Sequence, residues 1–324
     1  MTRNALRFAL LMAAGLPPAA PALTIEFDYS FDGGFFSGAN LARRTTLEAA
    51  GGYVGGLIGD RLLAIESGGD NDYTIRFLRP DTGTTQTFGS ANIAADTLRV
   101  YVGGRAAGGT LLGEGGPGDI ALLTGSDQYM LDAATRGQAA SIAEMFGPAA
   151  TDFAPWGGAI SFNSAANWYF DPDPVSLEGF TGNDFFSAAV HELAHVLGFA
   201  TSDSWNRLVV GNVFTGPAAV AANGGAPVPL TTDQSHWANG TQGLTLGTLV
   251  AQEAALDPSL ATGTRKYLTG LDAAALVDAG WEIALAPQAV PVPAGIPWLL
   301  AATVALLTRR RIAHRNGPIP ARSR

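Results

Sequence analysis

The first regular pattern along the chain is an alternation. Leu23-Thr-Ile-Glu-Phe-Asp-Tyr29 sets apolar and polar residues on opposite sides of an extended backbone, as a half-buried strand does. From Asn40 to Ile58 the period changes, and Leu41, Leu47, Ala50 and Val54 fall near helical spacing. Thr97-Leu-Arg-Val-Tyr-Val-Gly103 and Gly158-Ala-Ile-Ser-Phe-Asn163 predict two further strands. Asp184 to Leu197 reads as a helix with apolar faces. Asn183 is its candidate N-cap, Asp184 suits the positive first turn, and Gly198 is the stop, so the element spans 184–198 with its ending. A stretch rich in Gly, Pro and Asn runs to about Gly247 and predicts loops. Thr269-Gly-Leu-Asp272 has the form of a capping box, with Asp replacing Glu, and opens a last helix over about 270–280. No tandem repeat is present. Strands before the main helix and loops after it predict an α+β fold with a mixed sheet and a loop-rich C-terminal subdomain.

The ends of the chain follow other rules. Residues 1–22 combine Arg3 and Arg7, an apolar stretch from Phe8 to Leu16, and the small-residue exit Ala20-Pro21-Ala22. These are the three parts of a secretory signal peptide. Residues 288–324 begin with Val290-Pro-Val-Pro-Ala-Gly295 and continue as an apolar segment, predicted as a helix over 294–308. Arg309, Arg310 and Arg311 follow, a basic end that stays on the cytoplasmic side of a membrane. This tail resembles the PEP-CTERM class of bacterial sorting signals, in its Val-Pro-x-Pro-Ala variant. The resemblance implies a Gram-negative exporter, transient anchoring in the inner membrane through the C-terminal helix, and processing near Val290–Ala294 by an exosortase-type enzyme. The mature protein would then be extracellular or at the cell surface.

With both ends set aside, residues 23–287 form the expected folded domain. The chain has 28 acids and 19 bases, and eight of the bases lie in the two ends. The domain therefore keeps all 28 acids and 11 bases, a net charge of −17. That balance lacks the basic footprint that nucleic acid requires. The chain contains no cysteine, which excludes disulfides, thiolate catalysis and cysteine-ligated zinc. It contains four histidines, of which His314 belongs to the tail.

Two of the remaining three lie in His191-Glu192-Leu193-Ala194-His195, on the best predicted helix. Histidines at i and i+4 project from one helix face and can reach one zinc ion. Glu192 lies beside them and can take a proton from a water activated there. Three protein ligands with an open fourth position make a catalytic zinc site. The candidates for the third are His236, in the polar loop Asp233-Gln-Ser-His-Trp237, together with Asp203 and Glu253. Imidazole suits zinc best, which puts His236 first. The turn Ser67-Gly-Gly-Asp-Asn-Asp72 offers oxygen ligands for calcium but lacks the full calcium-loop pattern.

The stretch Asp184-Phe-Phe-Ser-Ala-Ala-Val-His-Glu-Leu-Ala-His-Val-Leu-Gly-Phe-Ala200 resembles the active-site helix of matrixin-like and leishmanolysin-like metzincins. Leu268 to Trp281 is similar to their C-terminal helix. The resemblance spans roughly Gly158 to Trp281. It implies a zincin fold, a zinc-dependent endopeptidase activity on polypeptide substrates, and Gly158–Asn163 as the edge strand that holds the substrate. From the residues alone that strand is equally an internal one. Gly198 matches the compact metzincin pattern, but Thr201 stands where that pattern has its third histidine. Leishmanolysin-like members carry an insertion there, which would match Gly198 to His236. Leu256 occupies the place of the metzincin methionine turn. Tyr267 is the available candidate for assisting an oxyanion. Against the peptidase stands one rival, a non-enzymatic surface or matrix protein that keeps a zincin fold.

Overall fold

The computed structural model describes residues 23–284 except 39, 143–149, 172, 174, 175 and 177. The signal expected over 1–22 and the sorting tail expected over 288–324 lie outside the described residues. Among the described residues no helix is long and apolar enough to cross a membrane.

The alternation after Leu23 forms β1 (Thr24–Asp28), and the expected helix is α1 (Leu41–Gly55). There follow β2 (Ile65–Glu66), β3 (Asp72–Leu78), β4 (Thr85–Phe88), β5 (Asn92–Ile93), β6 (Thr97–Arg105), β7 (Gly113–Pro117) and β8 (Asp119–Thr124). Then come α2 (Asp127–Thr135), β9 (Gly157–Asn163) and α3 (Phe185–Val196). The main sheet has the order β1-β6-β9-β7, with β1, β6 and β9 mutually parallel and β7 antiparallel to β9. Strand β6 is internal to the sheet, and apart from Arg99 its residues Leu98 to Val102 are apolar and buried. Leu98, Val100 and Val102 face the main core, while Tyr101 faces a second one.

On the first face, α1 and α3 cover the sheet. Leu47, Ala50 and Val54 meet Phe185, Ala189, Val190 and Leu193 over Val100 and Ile160. On the other face lies a small antiparallel sheet, β4-β3-β8, packed through Phe77 stacked on Tyr101 at 4.1 Å between centroids. The sequence pattern did not predict this sheet, because Ile120 and Leu122 of β8 point outward and blur its alternation.

The stretch read as loops holds more structure than expected. It contains α4 (Asp203–Asn206), α5 (Pro217–Ala222) and a three-stranded sheet of Val209–Val210, Val213–Phe214 and Val228–Pro229. Its short elements close around Trp205, which stacks on Phe214 at 3.8 Å and packs with Phe199 and Trp237. Aromatic burial replaces backbone regularity as the source of order here. Helix α6 (Gly270–Ala279) ends the described chain, opened by the full Thr269–Asp272 capping box. The fold is mixed α+β, with six α-helices among the described residues.

Two expectations need correction. Asp184, not Asn183, caps α3, since its carboxylate accepts from the Ser187 backbone N–H. Strand β9 is internal, and the sheet edge on that side is β7. Gly113-Glu-Gly-Gly-Pro117 has no apolar side chain to alternate, so nothing in its hydropathy marks it as a strand.

Candidate metal and catalytic site

The site is built outward from α3. Asp184 anchors the helix start and is itself gripped by Arg265, through Nε at 3.0 Å and Nη2 at 2.9 Å. The same guanidinium reaches Asp171 at 2.7 Å. At the other end Gly198 adopts φ +96°, and a side chain there would collide with Phe153. The turn it permits brings the Phe199 carbonyl back over the helix, where it accepts from His195 Nδ1 at 3.0 Å. Thr201, in the position where the compact pattern has a ligand, instead donates its hydroxyl to the His195 carbonyl at 2.7 Å.

His236 arrives from a loop closed by Thr231 N–H donating to the His236 carbonyl at 3.0 Å. The three Nε2 atoms converge, with His191–His195 at 3.2 Å, His195–His236 at 3.4 Å and His191–His236 at 3.0 Å. Each Nδ1 is committed elsewhere. His191 donates to the Ala255 carbonyl at 2.7 Å, and His236 faces the Ser235 hydroxyl at 2.7 Å. A neutral imidazole has one N–H, so with Nδ1 protonated each Nε2 presents a lone pair. Three lone pairs then point at one another with no proton between them, an arrangement that a cation relieves. Burial holds all three imidazoles below the ordinary histidine range, His195 at about 4; neighbouring imidazoles reinforce this for His191 and His195, whereas the charges of Asp233 and Asp257 oppose it for His236. They are therefore neutral near pH 7. Among the described residues this is the one convergent group of three potential metal ligands.

Glu192 lies on the same helix, pressed against β7. Gly113 and Gly115 make the contact possible, since a Cβ at Gly113 would stand 2.8 Å from Glu192 Oε1 and one at Gly115 2.7 Å from its backbone oxygen. Burial first, and then the negative charge of Glu114, push the Glu192 carboxyl up to about 8, against a backbone hydrogen bond from Gly115. The triad and Glu192 open into one cleft of about 1150 Å³. Leu112, Gly113 and Glu114 form one side of it, and Ala255, Pro258 and Lys266 the other.

Beneath the site, Asp272 does more than cap α6. It accepts from Trp237 Nε1 at 2.9 Å, and from Ala255 N at 2.9 Å. One buried carboxylate thus fixes the neighbour of His236 and the residue that orients His191. Leu256 is fully buried in the segment between them, and its carbonyl accepts from Trp237 N at 3.0 Å.

The other candidates lie elsewhere. Glu253 pairs with Lys266 at 2.7 Å, and Asp203 is exposed at the start of α4. Tyr267 packs against Tyr53 and Phe186 and does not line the cleft. In the turn Ser67–Asp72, which lacks the full calcium-loop pattern, Asp72 accepts from Thr74 and Ser90. The sequence reading missed β7, Asp272 as a brace and Ser235. The spacing of Gly113 and Gly115 is the one signal that could have exposed β7. Compared with known families, curated proteins and solved structures, the chain matches none.

Proposed function

We propose that the chain is a metal-dependent hydrolase of the zincin class. More particularly, it is an exported endopeptidase of metzincin type. The observation that carries this reading is the convergence of three Nε2 lone pairs beside a buried carboxyl in an open cleft. Tetrahedral zinc at about 2.0–2.1 Å from nitrogen separates its ligand atoms by about 3.3 Å, close to the spacing observed here. His191, His195 and His236 would hold the ion, and the cleft leaves a fourth position open. When bound, zinc supplies Lewis acidity toward water and a carbonyl oxygen.

Glu192 supplies the proton chemistry. It accepts a proton from the attacking water and returns it to the leaving amine. Its burial between α3 and β7 excludes bulk water and fixes its carboxylate toward the cleft. Among the described residues no strand pairs with the outer side of β7, so an extended peptide can add there by backbone hydrogen bonds. That geometry supports a polypeptide substrate. Leu256 departs from the metzincin methionine, but it fills its place as a buried support and is no ligand.

Export is the second part of the proposal, supported by the signal-like first 22 residues and the sorting-like tail. The mass of the secreted form tests whether both ends are removed. The activity is tested by zinc content and by chelator-sensitive cleavage of an unfolded protein substrate, wild type against Glu192→Ala. The expected result is zinc in both proteins and cleavage by the wild type alone. Zinc-loaded wild type without cleavage would favour the non-enzymatic surface or matrix protein.

A further inference from the structure

The three imidazoles are oriented by unlike partners. His191 and His195 donate to the backbone carbonyls of Ala255 and Phe199. His236 alone meets a side chain, with Nδ1 2.7 Å from Ser235 Oγ. If Nε2 is to face a cation, Nδ1 must carry the proton, and Ser235 Oγ is then the acceptor. The hydroxyl hydrogen is left to donate onward. The loop itself is held by Asp233, whose carboxylate accepts from Thr231 Oγ1 at 2.6 Å and from Ser235 N at 3.2 Å.

We infer that Ser235 is a positioning residue for the third metal ligand, its hydroxyl accepting from His236 Nδ1. That bond selects the His236 tautomer that presents Nε2, and an acceptor at Nδ1 makes Nε2 a stronger donor. The inference rests on the zinc reading above and adds which residues set the affinity.

The loop does not need this bond to keep its shape. His236 N donates to Thr231 Oγ1 at 3.2 Å, Gln234 Nε2 donates to the Gly211 carbonyl at 2.9 Å, and Leu230 bridges to Trp237. Removing the Ser235 hydroxyl therefore alters the ligand and leaves the loop in place. A purely structural serine would affect melting instead.

The experiment is a zinc titration of the full chain against a competing chelator, with the cobalt(II) absorption spectrum as a second readout. Ser235→Ala should weaken zinc binding about tenfold and shift the cobalt bands, with the melting temperature of the zinc-free protein unchanged. Ser235→Thr, which keeps the hydroxyl, should restore both readouts. Zinc affinity of Ser235→Ala within twofold of wild type, or an unshifted cobalt spectrum, would overturn the inference while leaving the zinc site standing. Wild type that takes up no zinc would overturn the zinc reading itself, and this inference with it.

Discussion

Gly113→Ala is the sharpest test of how the edge strand serves Glu192. Gly113 is not among the glycines with positive φ, so an alanine there costs no backbone strain. The effect must come from the new methyl group. Its Cβ would lie 2.8 Å from Glu192 Oε1, 3.0 Å from Cγ and 3.1 Å from Cδ. Ordinary contact begins near 3.4 Å, so the pair must separate by about half an ångström. The helix cannot yield, because Phe185, Ala189, Val190 and Leu193 hold it in the main core. The carboxylate moves instead. Since a misplacement of about 1 Å can cost 10²-fold in rate, half of that corresponds to roughly tenfold, or about 1.4 kcal/mol of barrier. The assay is kcat for cleavage of an unfolded protein, together with zinc content. A drop of about tenfold in kcat with full zinc is expected. Gly116→Ala is the internal control, since a Cβ on that residue of the same strand meets nothing within 4 Å. Full activity in zinc-loaded Gly113→Ala, or equal losses in the two variants, would refute the reasoning.

Two further predictions concern charge. Without metal, Glu192 is pushed up to about 8 and so holds its proton at pH 7, whereas the buried imidazoles are already neutral. A neighbouring dication favours the carboxylate, so zinc uptake at pH 7 should release close to one proton from Glu192, and this release should fade as pH rises above about 8. Zinc affinity should accordingly strengthen as pH rises toward about 8 and level off above it. Calorimetry in buffers of different ionisation enthalpy measures the protons, and equal release from Glu192→Gln would refute the assignment. Separately, Arg265→Ala leaves the buried carboxylates of Asp171 and Asp184 unpaired and should cost about 3–5 kcal/mol in denaturant unfolding. A loss below about 1 kcal/mol would show that the α3 N-terminus does not depend on this clamp.

Periodicity made the large elements legible. The strands at β1, β6 and β9, the helices α1, α3 and α6, and the Thr269–Asp272 cap all follow from local rules, because the spacing of apolar residues and the capping residues lie within each segment. The same rules failed for β7, whose glycines were selected by contact with Glu192 and leave no hydropathy signal. They failed also for the stretch after Gly198, where order comes from Trp205, Phe214 and Trp237 meeting across the chain.

For the site, the division is equally physical. Spacing alone placed His191 and His195 on one helix face with Glu192 beside them, since the helix repeat is a local property. The composition narrowed the third candidate to few residues, and imidazole's preference for zinc put His236 first among them, but neither shows which group comes near the helix. That choice needed the fold, because His236 is 41 residues from His195 and only the path of the intervening chain brings their Nε2 atoms to 3.4 Å. The fold likewise decided that Glu253 goes to Lys266, that the edge strand is β7, and that Asp272 accepts from both Trp237 beside His236 and Ala255 beneath His191. A sequence determines what each segment can do along itself, and tertiary packing alone determines which distant groups share one low-dielectric space.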